Sequence, residues 1–220
     1  MTSEQDLTRA TALRRIKKHA FSEVLEPLGF EPLGTTTWCR GAGELSHGIN
    51  LEANWGSRHV KWGVLCPETV PMVWGDYEKQ AAKDPVSYAV LGDLTKWQGY
   101  DAVMPWFDLP DRVSPQQLET IIDGLRADIS WYATWMEQFD TRRALLDYLL
   151  QNREPEDPRG FLMPSSLPMK LRVAAALAVL DRDPTAGTLV EEAAVASEPW
   201  GPDVRIDQLR SNARAANLIQ

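Results

Sequence analysis

Three histidines, two cysteines and a short polar row on one predicted strand are the side chains of this sequence with chemistry to offer. His47, His59 and His19 are the candidates for acid–base or metal work, because imidazole is the side chain that titrates near neutral pH. His47 falls on the apolar face of a strand beside Ile49. His59 sits in a hairpin loop or at the start of the next strand, and His19 lies in a charged helix next to Lys18. No Asp or Glu stands at a spacing that orients any of these rings by sequence alone, and no HExxH, HxH or CxxC occurs. Asn50, Glu52, Asn54 and Lys61 share the opposite face of the same strands, where four polar groups would line a cleft if the face were covered and simply be solvated if it were open. His47, Asn50, Glu52 and Asn54 together form the one enzyme-like candidate, a sheet-face site for small-molecule binding or hydrolysis. Cys39 and Cys66 are too few for a disulfide framework and read as buried thiols. GxSxG is absent, and Gly41-Ala42-Gly43 joins two strands rather than a strand and a helix, so it reads as a turn and not as a phosphate loop. The sequence therefore names no catalytic residue, no metal set and no cofactor.

The elements that must position these residues are legible from periodicity. Ser3-Glu4-Gln5-Asp6 resembles a capping box, and Leu13, Ile16, Ala20, Val24 and Leu28 recur at helical spacing, so the first helix is expected over about residues 4–27 with Gly29 as its stop. Thr35–Arg40 is β-branched and aromatic and reads as a strand. From Leu45 to Trp55 the odd positions are mostly apolar and the even ones polar or Gly, a period of two that marks a strand with one buried face. Val60, Trp62, Val64 and Cys66 repeat the pattern after a four-residue loop, Gly56-Ser57-Arg58-His59, a register that sets Ala53 opposite Trp62. Residues 67–113 are broken by prolines. They read as a loop, a short helix near Asp76–Lys83 and a further strand within Tyr100–Phe107. Ser114-Pro115 opens a long helix whose stripe runs Leu118, Ile122, Leu125, Ile129, Tyr132, Met136, Phe139. Four shorter helices follow, over Arg142–Gln151, Leu167–Asp181, Thr185–Ser197 and Pro202–Ala216, with a Pro- and charge-rich connection at Asn152–Pro164. The expected fold class is α+β: an antiparallel sheet of about four strands packed by an N-terminal helix and a long helix, followed by a helical C-terminal region. The division expected is 1–140 for the α+β domain and 141–220 for helices docked on it.

Charge and aromatic content narrow the function. The net charge of −8 is concentrated between residues 31 and 140. Such a surface repels phosphates, which argues against nucleic-acid binding, and favours a basic protein partner. The longest apolar run, Val173–Leu180, is far shorter than the roughly 20 residues that span a bilayer, and the N-terminus lacks a signal-peptide core, so the expectation is a cytoplasmic protein without a membrane partner. Eight of the nine Trp lie between residues 38 and 135. Trp38, Trp55 and Trp62 are expected to share a core. Trp74, Trp97 and Trp106 fall in the Pro-rich segment near Asp76, Asp101 and Asp108, where exposed rings would make binding hot spots.

The order of a basic first helix ending in Leu28-Gly29-Phe30, a Trp38-Cys39-Arg40 strand, an Ile49-Asn50-Leu51 strand and a Trp62-Gly63-Val64 strand resembles the bacterial family called domain of unknown function 4304. Glu52 stands where that family often has Gln. The resemblance covers about residues 10–70 and extends toward 140. It implies an α+β domain and no established activity, with a similarity in style to cytosolic immunity proteins. The function expected is a non-enzymatic binding protein, immunity-type or regulatory, with a basic partner. The alternative is the sheet-face enzyme named above.

Overall fold

The structure, a computed structural model, describes residues 6–54, 57–90, 96–97, 100–104, 106–152, 167–200 and 204–219. In chain order the elements are β1 (Leu7–Thr8), α1 (Arg9–Ile16), a π-helical turn (Lys17–Ser22), α2 (Glu23–Leu25), β2 (Glu31–Leu33), β3 (Thr37–Ala42), β4 (Leu45–Asn54) and β5 (Ser57–Leu65). Next come α3 (Val70–Trp74), α4 (Glu78–Ala81), β6 (Lys96–Trp97), β7 (Tyr100–Asp101), β8 (Trp106–Asp108), β9 (Arg112–Val113) and α5 (Pro115–Trp135). The chain ends with α6 (Arg142–Gln151), α7 (Leu167–Leu180), α8 (Ala186–Ser197) and α9 (Val204–Ala215). The fold is α+β, with an antiparallel five-stranded sheet in the order β2-β3-β4-β5-β8 and two-stranded ladders β1-β9 and β6-β7.

The chain forms two compact units, and neither is a single stretch. The first comprises Met1–Arg40, His47–Gly63 and Asp93–Glu137; the second comprises Gly41–Ser46, Val64–Gly92 and Gln138–Gln220. Where the sequence suggests a division at residue 140, the two units interleave: the turn at 41–46 and the stretch 64–92 cluster with the C-terminal helices.

In the first unit the helix begins later than its sequence suggests. Leu7 and Thr8 pair with Val113 and Arg112 as β1-β9, and Arg9 donates its N–H to the Asp111 carbonyl at 3.2 Å. Strand pairing uses up residues 7 and 8, and Thr8 rather than Ser3 caps α1, its side chain accepting the Thr11 N–H at 3.3 Å. Ser3 lies outside the described residues. The apolar stripe also departs from the expected one. The buried positions are Ala12, Ile16, Ala20, Phe21 and Leu25, while Val24 and Leu28 are only half-buried. The π-helical turn supplies the reason: a wider i→i+5 turn inserts one residue into the register and moves the buried face from 24 to 25. Gly29, at φ 80°, closes this helical run in the left-handed region that favours glycine. α5 buries the predicted stripe from Leu118 to Met136. Ser114 caps it, accepting the Gln117 N–H at 3.2 Å.

β4 and β5 keep the face assignment read from the sequence: Ile49 and Leu51 with Val60 and Trp62 are buried, and Glu52 shares the other face with Lys61. The four-residue loop is corrected. β5 already starts at Ser57, and Ser57, Arg58 and His59 pair with Asp108, Phe107 and Trp106 of β8. The Glu52 carboxylate contacts His59 and Lys61, whereas the expected register set it opposite Gly63. Ala53 is exposed and Trp62 is fully buried. Trp38 stacks on Phe21 at 4.6 Å, while Trp62 packs on Tyr132 at 4.5 Å and Trp135 at 5.3 Å. Trp55 lies outside the described residues.

The second unit is helical apart from the strand ends it includes. α7 is buried nearly all round, which its near-continuous apolar composition requires. Its two charged residues, Lys170 and Arg172, are also buried, Lys170 donating to the Asn152 carbonyl at 3.3 Å and Arg172 to the Ser197 hydroxyl at 3.0 Å. At the start of α6, Arg142 meets Glu44 at 2.9 Å, Asp181 at 2.8 Å and also Glu68. Burial works against its charge, but the three carboxylates outweigh burial and hold the guanidinium above its ordinary pKa. Gly43 makes the close approach there: at φ 59° its absent Cβ would lie 2.2 Å from the Asp140 carbonyl oxygen. α3 has no counterpart in the sequence reading, because Pro67 and Pro71 read as loop signals although proline is tolerated in a helix's first turn.

Cys66 is a buried thiol, and burial pushes its pKa up to about 11. At pH 8 its thiolate fraction is about one in a thousand. Iodoacetamide is therefore expected to leave Cys66 unmodified in the native chain and to alkylate it in guanidinium, as read by peptide mass spectrometry. Rapid native labelling of Cys66 would contradict this packing.

Candidate functional site

The sheet face of the first unit carries the arrangement with the clearest chemical content. Glu52 projects from β4 and His59 and Lys61 from β5, all on one face by strand alternation. A Glu52 carboxylate oxygen lies 2.8 Å from His59 Nε2 and 2.7 Å from Lys61 Nζ. His59 is only 3% exposed although it sits near the sheet edge. What covers it is Trp106 of β8, whose ring lies 4.2 Å from the imidazole at 33° and is itself 45% exposed. β8 is an outer strand of the sheet, and the third of its residues, Asp108, accepts the Ser57 hydroxyl at 2.6 Å. The result is a tryptophan platform braced from below: carboxylate to imidazole, imidazole to indole. One indole face is spent on His59 and the ring still presents a large exposed surface. Val103, also exposed at 58%, lies three residues earlier.

The residues expected to act together separate in the structure. His47 is buried on the face shared with Ile49 and Leu51, and its Nδ1 accepts from Arg40 Nε at 3.2 Å. A guanidinium only donates, so that nitrogen presents a lone pair and the ring's proton sits on Nε2. Asn50 and Glu52 stand on the other face, with Asn50 donating to the Thr37 hydroxyl at 3.0 Å. The side chain of Asn54 lies outside the described residues. The four-residue sheet-face site is therefore not assembled as expected: His47 is turned away from Asn50 and Glu52, and His59 takes its place beside Glu52.

The aromatic candidates separate too. Trp74 ends α3 in the second unit, half-buried, its Nε1 donating to the Tyr88 carbonyl at 3.2 Å and its ring edge-on to Tyr88 at 5.4 Å. It packs on Leu65, Val70, Ala81 and Ala89, so its ring is engaged in the unit's own core. Asp76 is exposed in the turn that follows. Trp97 pairs with Tyr100 in the β6-β7 ladder, where Asp101 is opposite Lys96; the side chains of Trp97 and Asp101 lie outside the described residues. Of the aromatic candidates whose side chains are described, Trp74 and Trp106, it is Trp106 that is left presented.

Two further features of the first unit escaped the sequence. Asp128, fully buried on α5, accepts the N–H groups of Val103 and Met104 at 2.7 Å each. Gly124, one turn earlier, makes room for Met104, since an added Cβ would come within 2.2 Å of its Cγ. These two residues seat the segment that leads into β8. His19 in the π-helical turn bonds Glu23 at 2.8 Å, and Arg126 of α5 donates to the His19 carbonyl and to Glu23, each at 2.8 Å. The His19 bond first, and then the charges of His19 and Arg126, hold the Glu23 carboxyl below its ordinary range.

No group of three His, Cys, Asp or Glu placed to hold a metal ion occurs among the described residues, and no described helix is long and apolar enough to cross a membrane. Compared with family models, with curated proteins and with solved structures, the chain matches none.

Proposed function

We propose that this chain is a cytoplasmic bacterial binding protein without catalytic activity, of the immunity or regulatory type, whose partner is a basic protein. The observation that carries the reading is Trp106, a large ring left 45% exposed and braced by the Glu52–His59 pair. Half-exposed Trp is costly to leave in water and is the residue type that most often anchors an interface. An indole face attracts Arg and Lys, and a net charge of −8 raises the encounter rate with a positive partner. Membership of the domain of unknown function 4304 family is part of the same proposal. Its support is that the resembling residues have defined structural work: Gly29 closes the helical run, Phe30 lies under the Arg40 guanidinium at 4.6 Å, and Ile49 and Trp62 are fully buried.

The test is co-purification of the tagged chain from lysate of its source cells, beside Trp106→Ala, in low and high salt. The expected result is one stoichiometric basic protein, lost with Trp106→Ala and weakened as salt shortens the screening length from about 10 Å at 0.1 M to about 3 Å at 1 M. Retention of the same partner by Trp106→Ala would refute the placement of the interface. A hydrolytic reading rests on the same Glu52–His59 pair, whose geometry is that of an oriented general base. It requires a substrate to displace Trp106, and turnover that Glu52→Gln abolishes would favour it over binding alone.

A further inference from the structure

A second feature of the first unit is independent of Trp106. Between α1 with its π-helical turn and the first half of α5 runs a groove of about 640 Å³, which Leu7 also lines. α5 contributes residues at helical spacing from Pro115 through Arg126, so one face of the helix forms a wall. Leu118 and Ile122 are its apolar lining on α5, and both are buried. The walls carry opposite charge. Arg15 and His19 stand on the first helix, and Glu119 and Asp123 on α5. Arg15, Glu119 and Asp123 are exposed, and among the described residues none of the three makes a side-chain hydrogen bond or an ion pair. Arg126 by contrast is committed to Glu23 and the His19 carbonyl.

Opposite charges that face one groove and do not reach each other leave room for something carrying both signs. We infer that the groove binds a small amphoteric molecule of the amino-acid class with an apolar side chain. The ligand carboxylate lies against Arg15 and His19, its ammonium against Glu119 and Asp123, and its side chain on Leu118 and Ile122. The volume falls within the roughly 300–1,000 Å³ of small-molecule sites. The π-helical turn at the groove wall is a form of backbone found often at functional sites. A purely anionic ligand would meet the two carboxylates and a purely cationic one would meet Arg15, so the pairing of charges selects the zwitterion.

The test is a two-dimensional amide NMR titration of the full chain with L-leucine, L-methionine and L-phenylalanine, and with the amide and the N-acetyl derivative of each. At least one free amino acid is expected to shift amides of residues 15–19 and 118–126 saturably. Its amide and N-acetyl forms are expected to bind about tenfold weaker or less well, because each lacks one charge-assisted contact. Arg15→Gln should erase the discrimination against the amide and Asp123→Asn that against the N-acetyl form; both positions are exposed, so the fold is expected to persist. Absence of saturable shifts with all three amino acids up to about 10 mM, where a useful site would be occupied, would overturn the inference. So would equal binding of a one-charge derivative.

Discussion

Replacing Asp128 by alanine is expected to destabilise the first unit by about 3–5 kcal/mol, because it removes a carboxylate that accepts two backbone N–H groups, each such charge-assisted bond being worth about 1.5–3 kcal/mol. Both contacts are short, 2.7 Å from Val103 and 2.7 Å from Met104, and the carboxylate that makes them is fully buried. Asp128→Asn separates bonding from volume. The amide keeps one acceptor oxygen and turns an NH₂ toward the second N–H, so two donors face each other. It is expected to recover less than half of the loss although it fills the same space. Guanidinium titrations followed by tryptophan fluorescence measure both variants. A loss below about 1 kcal/mol in Asp128→Ala, the range of an ordinary surface change, would show that residues 103–104 are held by other means. The segment leads directly to β8, so the same variant should also loosen Trp106 and make its indole signal resemble that of an exposed ring.

The second large effect is expected at Arg40, which is 12% exposed and serves several acceptors at once. Its guanidinium donates to the Leu28 carbonyl at 2.9 Å, the Ala133 carbonyl at 3.1 Å and His47 Nδ1 at 3.2 Å, reaches Glu137 at 3.4 Å and lies on the Phe30 ring. One planar cation thus joins the end of the first helical run, the end of α5 and two strands. Arg40→Ala is expected to cost about 3 kcal/mol, since charged hydrogen bonds are lost and helix-end carbonyls are left without donors. For a chain of this length that is a fall of roughly 6–12 °C in melting temperature. Arg40→Lys should recover less than half, because an ammonium cannot present a flat fork or lie on Phe30 in the same way. Full rescue by lysine would mean that charge alone matters at this position.

Much of this architecture was legible because burial is periodic. The alternation along β4 and the stripe along α5 both record one face in the core, and Ser114-Pro115 is a helix start that local chemistry alone dictates. What was not legible depends on partners that leave no trace at their own position. The acceptors of Arg40 and the donors to Asp128 are largely backbone groups, which every residue possesses. The π-helical turn shifts the stripe of the first helix by one residue, and nothing in Lys17–Ser22 announces it. The Glu52–His59 pair is an intermediate case. Both residues stand out by type, but a loop running to His59 overlaps the strand by three residues, Ser57 to His59, and hides the pairing. Placing the strand start at Ser57 would have exposed it.

The claim that Trp106 is the anchor for a basic partner is tested most directly by photo-crosslinking from beside it. A benzophenone amino acid at exposed Val103, with Trp106 kept, introduced into the full chain in its source cells and irradiated, should yield one dominant adduct with a protein of isoelectric point well above neutrality. The same residue placed at exposed Val195 of the second unit is the control and should not give that adduct. A dominant acidic adduct at 103, the same adduct from both positions, or none from 103 would contradict the account.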